Sequence, residues 1–122
     1  MSIWERKYKG LVNRKGSEVD ITRNIKIIEG LKSQILTETA AMFRSLVSGF
    51  KEDSREEIGE AVANIIIIAF LLAKRLGITY NAIGLKIQNK IRSGIINEQE
   101  EEKYYGDLTE LARYISNNTP KK

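Results

Sequence analysis

From position 21 onward, apolar residues return at spacings of three and four: Ile21, Ile25, Ile28, Leu31, Ile35, Met42 and Leu46, with Thr39 filling one gap. That is the period of one face of an α-helix, so the pattern predicts an amphipathic helix ending near Ser48-Gly49. Asp20 or Thr22 can cap its start. Gly30 inside it costs up to ~1 kcal/mol against Ala and marks a kink or a close contact. The next stretch reads differently. Ala61 to Ala73 is apolar on nearly every side and is broken by Asn64. Its four consecutive isoleucines, Ile65 to Ile68, favour strand by propensity. The run is longer than a typical strand, however, and lies between helix signals. Ser54-Arg55-Glu56-Glu57 is a capping box, Lys74 and Arg75 complement the dipole in the last turn, and Gly77 supplies a stop. A helix over residues 56–76 follows. Apolar all round, it needs neighbours on every side, from the other helices or a second subunit. For a chain this small, a homodimer or higher homo-oligomer is expected.

Residues 79–93 predict a further helix, with Ile83, Ile87 and Ile91 on one stripe and Gly94 ending it. Asn97-Glu98-Gln99-Glu100 opens a short acidic segment. Asp107-Leu108-Thr109-Glu110 forms a second capping box, leading a helix with Leu108, Leu111, Ala112 and Ile115 inward. Residues 1–19 carry five basic side chains and two glycines without a helical period, and read as a basic arm. It is either solvated, in contact with phosphates, or packed on a neighbour through Ile3, Trp4 and Tyr8. Residues 20–116 are then one helical domain, and residues 117–122 a frayed tail.

Composition narrows the chemistry. A chain of 122 residues with 42% hydrophobic and 30% charged residues and one proline suits a single folded all-α domain. It has neither cysteine nor histidine, which removes disulfides, thiolate and imidazole nucleophiles, and soft metal sites. Carboxylates, lysines, arginines and backbone remain, so any metal is a hard one, Mg²⁺ or Mn²⁺. The start of the chain lacks the apolar run of a signal peptide, and no stretch reaches the ~20 apolar residues of a spanning helix. A cytoplasmic protein without membrane contact is expected. A net charge of +4 permits nucleotide, nucleic acid or anionic membrane and selects none of them.

Glu57, Glu60 and Asn64 stand at i, i+3 and i+7, which puts three oxygen-bearing side chains on one helical face. Capping and the dipole explain Glu56 and Glu57 without a metal. Glu60 lies beyond the first turn, at the edge of the apolar run, where a carboxylate needs a cation, a base or solvent. Glu38 sits between Ile35 and Met42, beside the apolar stripe of the earlier helix. Antiparallel packing would bring it toward Glu57 and Glu60, and three carboxylates can hold Mg²⁺ with positions left for phosphate oxygens. A salt bridge from Glu38 to Arg44 or Lys86 is the competing role. Lys86, Asn89, Lys90 and Arg92 form a cationic arc suited to phosphate or a base edge, or simply a solvated face.

In this order the segments resemble the all-α nucleotide pyrophosphohydrolase superfamily, and within it the short MazG-like proteins. Glu57-Ile58-Gly59-Glu60 is similar to that superfamily's second acidic motif, E-x-x-D, with Glu for Asp. The following apolar run ends, as in the family, in Lys74-Arg75-Leu76-Gly77-Ile78. Lys86 to Arg92 resembles a basic K-x-x-N-x-x-R stretch, and Tyr105-Gly106-Asp107-Leu108 the tail of the MazG-like branch. The first motif, E-E-x-x-E, departs: Leu36-Thr37-Glu38-Thr39-Ala40-Ala41 keeps only Glu38. The resemblance implies a four- to five-helix bundle completed by dimerisation. It also implies Mg²⁺-dependent hydrolysis of a nucleoside or deoxynucleoside triphosphate to the monophosphate and pyrophosphate. On that reading Glu38, Glu57 and Glu60 hold the metal, Glu38 and Glu60 act in catalysis, and Lys86, Asn89, Arg92 and Asn64 contact the nucleotide. The loss of two carboxylates weakens the enzyme expectation more than the fold. It raises the alternative of a catalytically inactive helical dimer acting as a nucleotide-binding or protein-interaction module. Nucleic-acid binding through the basic arm ranks last.

Overall fold

The structure, a computed structural model, describes residues 18–47, 49, 52–97 and 106–118. The described residues form four α-helices and no strand: α1 Glu18–Val47, α2 Glu52–Arg75, α3 Tyr80–Asn97 and α4 Asp107–Asn118. The all-α expectation holds, and the isoleucine run is helical. Residues 1–17 of the basic arm, the acidic segment from Glu98 to Glu100 and the end of the tail lie outside the described residues, while Glu18 and Val19 open α1. The chain divides into two compact units, Met1–Tyr80 and Asn81–Lys122.

The first unit is an antiparallel pair of long helices. Both ends of the pair are tied: near one end the Asn24 side-chain amide donates to the Arg75 carbonyl at 3.4 Å, and near the other the Ser45 hydroxyl donates to Glu57 at 3.0 Å. Between them Ile28, Leu31, Ala61, Ile68 and Ala73 are buried, and Ile28 is 1% exposed. On α2 the inward residues Ser54, Ile58, Ala61, Ile65, Ile68 and Leu72 alternate spacings of four and three, the seam of two helices packed along their length. Thr39 fills its gap without stranding a polar atom, because its hydroxyl donates to the Ile35 carbonyl at 2.7 Å.

Two expectations are corrected here. α1 runs through Gly30 without a break, and nothing lies within 4 Å of the Cβ that Gly30 lacks, so this residue marks neither a kink nor a close contact. Ser54 does not cap α2, which begins two residues earlier at Glu52. Ser54 is instead a buried member of the seam, and the Glu57 carboxylate turns to Ser45 on the facing helix.

At the other end of α2, Gly77 acts as the spacing predicts. With φ of 85° it turns the chain out of the helix. The Ile78 amide donates to the Ala73 carbonyl at 2.9 Å, and the Gly77 amide to that of Lys74 at 3.0 Å. These two bonds are a Schellman closure, which satisfies carbonyls that the helix leaves free. Tyr80 then meets Phe70 edge-to-face with centroids 6.1 Å apart, while the Lys74 ammonium lies 4.9 Å over the Tyr80 ring.

In the second unit α3 carries Ile91 buried, with Ile83 and Ile87 half-buried on the expected stripe. Gly94 does not end this helix. It lies inside it, and a Cβ there would stand 2.8 Å from the Leu108 Cδ1, so the glycine makes room for a leucine of α4. α4 begins at its expected cap residue, Asp107, and the preceding Gly106, at φ 81°, supplies the carbonyl that accepts from the Glu110 amide at 3.1 Å. Leu108, Ala112 and Ile115 are half-buried at spacings of four and three. Leu111 falls off that line and is exposed, contrary to expectation.

Candidate functional site

The α1–α2 pair has two flanks on either side of its seam. The Ser45–Glu57 bond identifies one of them. Helical spacing puts Glu38 on that flank of α1, and Glu60 and Asn64 on that flank of α2. Glu38 and Asn64 are half-buried at the seam, while Glu57 and Glu60 are exposed farther out. The structure therefore gathers four of the sequence-derived site residues on one side of one helix pair.

Register decides how near they come. With Ser45 opposite Glu57 and Asn24 opposite Arg75, Glu38 lies about level with Asn64. At ~1.5 Å per residue it is then displaced along the axis by ~10 Å from Glu57 and ~6 Å from Glu60. Among the described residues, no group of three His, Cys, Asp or Glu side chains is disposed to hold a metal ion. Thr37, where the family motif carries a glutamate, directs its hydroxyl to the Ser33 carbonyl at 3.0 Å and so closes on its own helix. Glu60 has neither an ion-pair nor a hydrogen-bond partner among the described residues, and its exposure lets water stabilise the charge. Glu38 likewise forms no ion pair with Arg44.

Lys86, Asn89 and Arg92 are exposed on α3, in the second unit. Arg92 also borders a cleft of about 240 Å³ between α3 and α4, lined with Gln88, Ile91, Ile95, Ala112, Ile115 and Ser116. Lys86 and Asn89 are not among its lining residues. Gln88 and Ser116 are polar groups that the sequence did not single out, although the separation of Gln88 and Arg92 by one helical turn was there to be read. No helix among the described residues is long and apolar enough to cross a membrane.

No curated protein and no solved structure matches the chain. The model of the MazG-like family matches residues 21–108. That span takes in nearly all of α1, the whole of α2 and α3, and the first two residues of α4. With most of its length inside the match, and with the helical scaffold that the motif order implied, the chain belongs to the MazG-like family.

Proposed function

We propose that this chain is a nucleotide-binding helical module built on the pyrophosphohydrolase-type scaffold, in which metal-dependent hydrolysis has been lost. The observation that carries the loss is the carboxylate flank. One acidic motif survives at Glu57 and Glu60, the other has been reduced to Glu38, and no three acidic side chains among the described residues meet at one point. Mg²⁺ held by a phosphate-facing carboxylate cluster needs several oxygen ligands in near-octahedral geometry, and this donor set does not fit it. Nucleotide as the ligand is supported by the family match and by the exposed Lys86, Asn89 and Arg92, whose charge and donors suit phosphate.

The second reading is an active pyrophosphohydrolase that converts a nucleoside or deoxynucleoside triphosphate to monophosphate and pyrophosphate. It is favoured by the placement of Glu38, Glu57, Glu60 and Asn64 on one flank. One experiment separates the two. Standard and modified deoxynucleoside triphosphates are titrated calorimetrically, and pyrophosphate release is followed with Mg²⁺ or Mn²⁺ for the wild type and Glu60→Gln. Saturable binding without metal-dependent turnover is expected. Turnover that disappears in Glu60→Gln overturns the proposal in favour of the hydrolase. No binding of any triphosphate overturns both.

A further inference from the structure

The cleft of about 240 Å³ between α3 and α4 has a floor and a rim of different chemistry. Its floor is aliphatic: Ile91 is buried, and Ile95, Ala112 and Ile115 are half-buried. Its rim carries Gln88, Arg92 and Ser116, all exposed, and none of these side chains has a hydrogen-bond or ion-pair partner among the described residues. The close approach of Leu108 to Gly94 fixes how the two helices run. Ser116 lies about two helical turns beyond Leu108 and still shares the cleft with Gln88, so α4 runs back along α3 and brings Ser116 to the Gln88 end. Long side chains on a helix lean toward its N-terminus, which carries the Arg92 guanidinium toward that same end. The cleft is thus polar and cationic at one end and aliphatic along the rest.

We infer that this cleft binds a small carboxylate carrying an aliphatic chain of about eight carbons, its head group on Arg92 and its chain along the isoleucines. The inference is independent of the nucleotide reading. Charge decides the head group. Arg92 offers donors and no acceptor, Gln88 and Ser116 add further donors, and no lining residue among those described is acidic, so an anion satisfies what the rim leaves open. The floor decides the body of the ligand. No described lining residue is aromatic, so a nucleobase finds no ring to stack on, and its polar edges would lose water against isoleucines that cannot replace it. A hydrocarbon chain gives up no hydrogen bond there and is itself removed from water. Volume decides the size. A cavity of ~150 Å³ holds benzene, so a cleft of about 240 Å³ takes roughly ten non-hydrogen atoms, as in octanoate and about a third of a nucleoside triphosphate. Length agrees, because Gln88 to Ile95 covers ~10 Å of helix axis, close to the reach of the extended chain.

The test titrates the full chain with octanoate by calorimetry, without nucleotide, so that its failure leaves the nucleotide reading standing. Saturable binding at one site per chain is expected, with a dissociation constant at or below ~1 mM. Butanoate should bind at least about tenfold more weakly, for want of chain to bury. Octanamide, of the same shape without the charge, should also bind at least about tenfold more weakly than octanoate, and Arg92→Met should remove the difference between the two. Ala112→Leu, which fills the floor, should abolish binding with helical circular dichroism retained. Arg113→Met, which removes an exposed charge of α4 outside the lining of the cleft, should change the affinity less than about twofold. Absence of saturable binding overturns the proposal, as does binding that both Arg92→Met and Ala112→Leu leave unchanged. Saturable binding of a nucleoside in place of octanoate overturns it too, and gives the cleft to a base.

Discussion

The same substitution, glycine to alanine, should have opposite signs at Gly30 and Gly77. Gly30 is an exposed residue in the interior of α1, with open space where a Cβ would go. Alanine there loses less backbone freedom on folding and meets nothing, so Gly30→Ala should stabilise the protein by ~0.5–1 kcal/mol. Gly77 is held at φ 85°, where a Cβ crowds the following carbonyl at a cost of ~1–2 kcal/mol. The residue cannot relax without giving up the bonds from Gly77 to Lys74 and from Ile78 to Ala73. Gly77→Ala should therefore destabilise by about 1–2 kcal/mol. Urea unfolding followed by circular dichroism, at one fixed protein concentration, reads both as shifts in midpoint at unchanged slope. For a chain of this size each ~1 kcal/mol corresponds to roughly 3–6 °C in Tm. Loss of stability in Gly30→Ala would mean that α1 needs its glycine for a bend or a close contact, and a neutral Gly77→Ala would mean that the Schellman closure does not form. Either result refutes the account of the helix pair.

Ile28→Ala should cost ~2–5 kcal/mol, the most of any single truncation on α1, because Ile28 is the most fully buried large side chain among the described residues; urea midpoints across an alanine scan of the seam check the ranking. Gly94→Ala should be close to neutral, since ~1 kcal/mol of helix propensity is offset by about 0.5–1.5 kcal/mol to push Leu108 off its rotamer. In a Leu108→Ala background the same change should recover the full gain, and a double-mutant cycle with no coupling would refute that contact.

Much of the fold is legible in the chain because helical period and terminal residues are local signals. Gly77, with Lys74 and Arg75 before it, marks the end of α2 at the sequence level, and hydrogen bonds confirm it. Ser54 was misleading for a physical reason: a serine ahead of an apolar run has the composition of a cap. Whether it faces the amide of its own helix or the neighbouring helix depends on packing that the local pattern does not contain. Gly94 misled in the same way. A glycine after a helical stripe reads as a terminator until the leucine that occupies its missing Cβ is known. The candidate site divides along the same boundary. Period alone puts Glu57, Glu60 and Asn64 on one face. The axial offset of Glu38 is fixed by the register of α1 on α2, and nothing within either helix sets that register. The exposure of Ile66 and Ile67 is also a tertiary fact, because a uniformly apolar stretch does not say which sides a single copy covers.

The two flanks of the helix pair answer to different constraints. A substitution at Thr37, Glu38 or Glu60 alters a polar surface and leaves Ile28, Ala61 and Ile68 buried as before, whereas a change at Phe43 or Ile66 alters a surface that has no polar task. Mutational drift can therefore erase acidic ligands one at a time with little penalty in folding. A scaffold of this kind can therefore outlast changes in the chemistry carried on its polar flank.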